Sequence, residues 1–385
     1  MFNQNQVPYQ GQPPYQGQPP YQGQPPYQGY QVQYGQNGNS YHNPPMDDAR
    51  IQEQIRLQNE YNCRLMEEKK KKKEVGRLSR VLLYYTIAMT LPAFIYEFVY
   101  MIYLSVKYMD NTTLLESKMN EFLEQVVRNG WLYLIGLVLG FLVLFIYRRT
   151  KLIKEDISGK RRSMRPSTLL IMVVLMLAPN TFVTLFSLGS EVFLELFGIS
   201  IDGTIEIFSS KGMPISMLLY IVLFGPIMEE ILFRGVLLHK LEKYGRIFAI
   251  SISAICFGIF HGNLTQGLFA VAVGFVLGYV ALEYSVKWCI VLHIFNNGLS
   301  MAVDMLMNHY TQIPVEFISF IVYAVITVIG VVILIGKREK LIAYKNEHPT
   351  VQGSKALVYG NPWFIVFLSV YFVIFVLYFI SPFFM

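Results

Sequence analysis

Charge is scarce in this chain of 385 residues: Lys, Arg, Asp and Glu together make up 15% of it, against about 25% in soluble proteins. That scarcity excludes an ordinary soluble domain. The formal net charge of +6 does not point to nucleic acid, because the basic residues lie beside apolar runs, as orientation signals and headgroup contacts do. Cysteine is also sparse. Cys63, Cys256 and Cys289 form no CxxC, which excludes a disulfide framework and the usual structural zinc spacing. Cys256 and Cys289 lie in apolar segments, where a free thiol behaves as a small hydrophobe. Residues 1–46 carry neither Lys, Arg, Asp or Glu nor an apolar core, so no secretory signal peptide is expected. The chain has no HExxH and no GxSxG, so the helical zinc motif and the serine nucleophile elbow lack a basis.

What is present in excess is apolar. Hydrophobic residues reach 53% and the mean hydropathy is +0.38. Nine apolar segments follow one another at roughly 81–106, 131–147, 168–188, 214–238, 247–261, 264–285, 288–306, 316–336 and 362–385. Several reach the ~20 residues that cross a hydrocarbon core. A spanning chain must satisfy its backbone groups internally. The expected fold is therefore all-α, a polytopic transmembrane bundle of eight or nine spans. The segment at 247–261 is short, so it and its neighbour at 264–285 make either two spans or a re-entrant pair.

Three regions are expected. Residues 1–46 hold a Pro-Tyr-Gln-Gly-Gln-Pro repeat with Tyr9, Tyr15, Tyr21 and Tyr27 in register. Such a tract buries too little apolar surface to fold and reads as a disordered tail, either a plain tether or a recruitment arm for a protein partner. Residues 47–80 turn to Gln, Glu, Arg and Lys and read as an exposed helix ending in Lys69–Lys73. A basic run before a first span fits anionic lipid headgroups and a cytoplasmic N-terminus. Residues 81–385 form the membrane domain. Its loops at 148–165, 239–246 and 337–340 hold eight, three and three Lys or Arg, all on the side of the polylysine if every segment crosses. The location that follows is a cell membrane, multi-pass.

Ionisable side chains at membrane depth are costly and mark function. Glu229, Glu230 and Arg234 fall within one apolar run. Glu230 and Arg234 are four apart, share a helical face and can pair. Glu229 points about 100° away and is left to face a cavity. Phe257 and His261 share a face, as do His293 and Asn297. Counting ~1.5 Å per residue from the inner ends puts Glu229 at ~13 Å, His293 at ~8 Å, Asn297 at ~14 Å and His261 at an uncomfortable ~21 Å. Taken singly, each has an ordinary role: an ion pair that packs a helix, a capping histidine, an asparagine that bonds two helices. Together they suit hydrolysis by water. A carboxylate in an apolar pocket serves as general base, His261 orients or shuttles, and His293 and Asn297 donate to an oxyanion. Zinc held by Glu and two His is the less favoured alternative.

These three motifs, Glu-Glu-x-x-x-Arg at Glu229, Glu230 and Arg234, Phe-x-x-x-His at Phe257 and His261, and His-x-x-x-Asn at His293 and Asn297, resemble the CAAX protease and bacteriocin-processing (Abi) family in its prokaryote-like branch. The resemblance covers about residues 214–306. It implies an intramembrane glutamate endopeptidase without a metal cofactor, acting on a membrane-embedded or membrane-delivered peptide. It further implies Glu229 as base assisted by His261, His293 and Asn297 as oxyanion stabilisers, and Glu230 with Arg234 as the supporting pair. The competing classes are a non-catalytic scaffold or immunity factor that keeps this fold, and a proton-relay transporter, which the absence of internal repeats disfavours.

Overall fold

The computed structural model describes residues 48–159, 162–196 and 212–380. The tyrosine repeat lies outside them. All regular structure among the described residues is helical, with no strand. The chain divides into two compact units, Met1–Arg64 and Leu65–Met385. In the first, residues 48–64 are the exposed opening turns of α1 (Asp48–Lys107). The second holds the rest of α1 and all later helices.

Among the described residues, seven helices are long and apolar enough to cross a membrane, and two further apolar helices, Arg246–Phe260 and Pro362–Leu377, are shorter. The protein is thus a polytopic helical bundle. The elements that matter for the site are α2 (Gly130–Arg148), α3 (Ile215–Tyr244), α4 (Arg246–Phe260), α5 (Leu264–Glu283), α6 (Val286–His309), α7 (Val315–Gly336), α8 (Arg338–Glu347) and α9 (Pro362–Ile380). Polar caps start several of them. Asn129 accepts from the Trp131 N–H at α2, Asn263 from the Gln266 N–H at α5, and Ser285 from the Trp288 N–H at α6, each satisfying an orphan donor of a first turn. Side chains of α7 such as Val328, Val332 and Ile335 face outward, as expected of a lipid-facing helix.

The core gathers around α3, α4 and α5. Phe233, Val236, Leu238, Ala254, Phe257, Leu277 and Val280 are all buried. α4 and α5 form a hairpin whose backbones touch through small residues. A Cβ added at Gly258 would stand 2.6 Å from the Gly267 carbonyl oxygen, and one at Gly274 would stand 2.9 Å from Ala254 Cα. The open end of the hairpin is tied by charge: Arg246 Nη1 lies 2.8 Å from Glu283 Oε1. Tyr344 of α8 donates to the same oxygen at 3.0 Å. Glu283 is therefore a buried tie between three helices.

The 15 residues of α4 rise about 22 Å, less than a ~30 Å hydrocarbon core. His261 caps its end, and Gly262, at φ +72°, makes the turn into α5. The short helix ends with His261 packed edge-on against Phe257.

Candidate active site

The site is built on an irregular stretch of α3. Two wide π turns, Tyr220–Phe224 and Ile231–Leu238, flank the regular segment Gly225–Glu230, and such turns recur at functional sites. Pro226 accounts for the first. In the π pattern each N–H reaches back five residues, and the Gly225 N–H does so to the Tyr220 carbonyl. The next such bond, to Ile221, needs an N–H at position 226, which proline lacks. The Ile221 carbonyl accepts instead from Asn297 Nδ2 of α6, at 3.0 Å. Asn297 Oδ1 in turn accepts from Asn296 Nδ2 at 3.2 Å. Two residues beyond the expected set thus join it: Ile221 through its carbonyl and the buried Asn296. The adjacent Asn-Asn pair was the available sequence signal.

One turn along α3, Glu230 and Arg234 are both wholly buried. Arg234 Nη1 lies 2.8 Å from Glu230 Oε1, the i,i+4 pairing that helical spacing leads one to expect. His293 Nδ1 reaches the same oxygen, also at 2.8 Å. A carboxylate paired with Arg234 accepts, so Nδ1 carries the proton and donates. Glu230 therefore anchors two cationic or polar partners from α3 and α6. Phe257 packs against all of this. Its ring lies 4.2 Å from the Arg234 guanidinium carbon, a cation–π contact. It meets His261 and His293 edge-on at 4.9 and 5.6 Å between ring centres.

Glu229 differs from its neighbour. Its side chain is 16% exposed and its closest charged partner is His293 Nε2, at 3.8 Å from Oε2, outside hydrogen-bond range. His261 Nδ1 lies 2.8 Å from the Phe257 carbonyl oxygen. A carbonyl only accepts, so Nδ1 holds the proton and Nε2 presents a lone pair when the ring is neutral. Glu229, His261 and His293 thus converge around Phe257, while Asn297 joins them through α3. His293 and Asn297 each spend one N–H on the protein itself. Nε2 of His293 donates to an oxyanion only as the imidazolium, and Asn297 has one amide hydrogen left to offer.

Among the described residues, no group of three or more His, Cys, Asp or Glu is arranged to hold a metal ion. The thiols of Cys256 and Cys289 are buried, and Cys289 donates to the Leu277 carbonyl at 3.2 Å, which suits packing.

Residues 211–299 match the family model described as Type II CAAX prenyl endopeptidase Rce1-like. A stretch of 113 residues is 34% identical to the Bacillus subtilis (strain 168) protein named "Putative membrane peptidase YdiL"; it takes in 28% of this chain and 46% of that protein, so the similarity spans about half the relative's length. No solved structure matches. The chain thus carries a distant similarity to CAAX-protease-type membrane peptidases, and the matched segment contains every candidate site residue named above.

Proposed function

We propose that this protein is an intramembrane endopeptidase that hydrolyses a peptide bond of a membrane-embedded or membrane-delivered substrate, with Glu229 activating the water. The observation that carries the reading is the contrast between two adjacent carboxylates. Glu230 is fully buried and bonded to Arg234 and His293, whereas Glu229 is partly accessible and has no hydrogen bond from either. A base must reach water, and of the two only Glu229 is placed to do so. The similarity over residues 211–299 supports the same reaction class.

In this mechanism Glu229 takes a proton from water while His261 Nε2 accepts the water's second hydrogen, which orients the oxygen lone pair at the scissile carbonyl carbon. The imidazolium form of His293 and the remaining Asn297 N–H stabilise the oxyanion. Glu229 then returns its proton to the departing amine. Arg234 and Phe257 hold the frame. The finer assignment, to the prokaryote-like bacteriocin-processing branch, belongs to the same proposal. So do a cytoplasmic N-terminus and contact of Lys69–Lys73 with anionic headgroups.

The test is a comparison of membrane peptides from cells carrying wild type, Glu229→Gln or His261→Ala. Each variant is expected to lose processing, by about 10²-fold or more. Full processing by both would show a non-catalytic scaffold instead. Purified activity is expected to survive chelators; loss that zinc restores would replace the glutamate base with metal-bound water.

A further inference from the structure

Tyr85 lies in α1, far outside the segment that resembles known peptidases, yet it reaches the site. It is 0% exposed. Its ring sits 6.1 Å from that of Phe260, the residue before His261, and Phe260 in turn packs on Phe233 at 5.3 Å. α2 approaches it so closely that a Cβ at Gly140 would stand 2.7 Å from the Tyr85 ring. The phenol is thus clamped between α2 and Phe260, the residue that precedes His261.

Among the described residues, its hydroxyl has no hydrogen-bond partner. The contrast with its neighbours is direct: Thr86 Oγ1 and Tyr371 Oη bond each other at 2.9 Å and so latch α1 to α9. A buried hydroxyl without a partner is uncommon and unfavourable. At a position chosen for packing alone, phenylalanine would fill the same volume without that penalty. An unsatisfied donor therefore sits on a ring packed against Phe260, the chain neighbour of His261, at a site where Asn297 and His293 have each committed one N–H elsewhere.

We infer that Tyr85 is a further catalytic residue, whose hydroxyl donates a hydrogen bond to the scissile carbonyl oxygen as it becomes the oxyanion. The inference rests on the peptidase reading. Water gives one proton to Glu229 and its oxygen bonds to the carbonyl carbon, while the C=O π pair moves onto oxygen. Tyr85 donates to that oxygen and keeps its proton. The C–N bond then breaks, its electron pair leaves on nitrogen, and nitrogen takes the proton from Glu229.

The test uses the full-length protein. Peptides from membranes bearing wild type or Glu229→Gln are compared to find a cleavage that depends on Glu229, and a synthetic peptide spanning that bond becomes the substrate for purified protein in detergent. Tyr85→Phe is expected to lower kcat about 10²-fold with KM little changed, and to melt at or above the wild-type temperature. Thr86→Val, which removes the latch and the Thr86 hydroxyl's bond to the Leu82 carbonyl, is expected to lower the melting temperature while kcat stays within about threefold. A Tyr85→Phe enzyme that keeps wild-type kcat, or loses it only in step with its melting temperature, overturns the inference and leaves the peptidase reading standing. If no cleavage depends on Glu229, the peptidase reading fails, and the role of Tyr85 with it.

Discussion

Adjacent carboxylates in one helix have opposite fates here, and helical spacing already separates them. Glu230 shares a face with Arg234, and the two pair at 2.8 Å out of all contact with solvent. Removing one partner of a buried pair strands the other charge. Arg234→Ala is therefore expected to destabilise the protein by about 3–5 kcal/mol. The double substitution Glu230→Gln with Arg234→Met, which removes both charges at similar volume, should cost much less. Glu229→Gln should unfold close to wild type, because this side chain is partly exposed and makes no close ion pair. Unfolding in detergent micelles measures all three. What spacing does not reveal is His293 on the same Glu230 oxygen. The two residues are 63 positions apart, and no periodicity links one helix's face to another's.

At the scale of elements, the π turn at Tyr220–Phe224 makes a demand that Asn297 meets. Pro226 withholds the N–H that the Ile221 carbonyl would take, and the carboxamide supplies one. Two substitutions separate this account from generic packing. Asn297→Ala alone leaves a buried carbonyl without a partner and should cost about 1–3 kcal/mol. In a Pro226→Ala background, where a backbone donor is restored, the same substitution should cost less, and a double-mutant cycle reads the difference. The tie at the base of the α4–α5 hairpin responds to pH. Burial, and next to it the Glu283 charge, push the Tyr344 hydroxyl from 10.0 up to about 12. A raised folded-state value contributes stability that is complete below the unfolded value and is lost as pH climbs through the folded one. Docking of α8 should therefore weaken between about pH 10 and 12, and Tyr344→Phe should remove that response, as hydrogen exchange over Arg338–Glu347 would show.

For the whole molecule, the all-helical, many-spanning architecture was legible in composition and in the length of the apolar runs. The hydrocarbon core sets those lengths, so counting residues is itself a physical measurement. The short run before His261 was legible as an anomaly: it ends in a turn, and His261 stays inside the protein beside Phe257. The chemical character of the site was also readable, since carboxylate, imidazole and carboxamide groups in apolar helices stand out by their cost. By itself, then, the sequence determined the class of fold, the pairing of Glu230 with Arg234 and the set of groups available for chemistry, because each follows from local periodicity or transfer cost. Tertiary structure alone decided which hydrogen each donor still has to offer. Glu230 takes one from His293, Ile221 takes one from Asn297, and Tyr85 keeps its own. Those allocations depend on distances between helices, and these are set by side-chain packing across the bundle, which no stretch of sequence encodes locally.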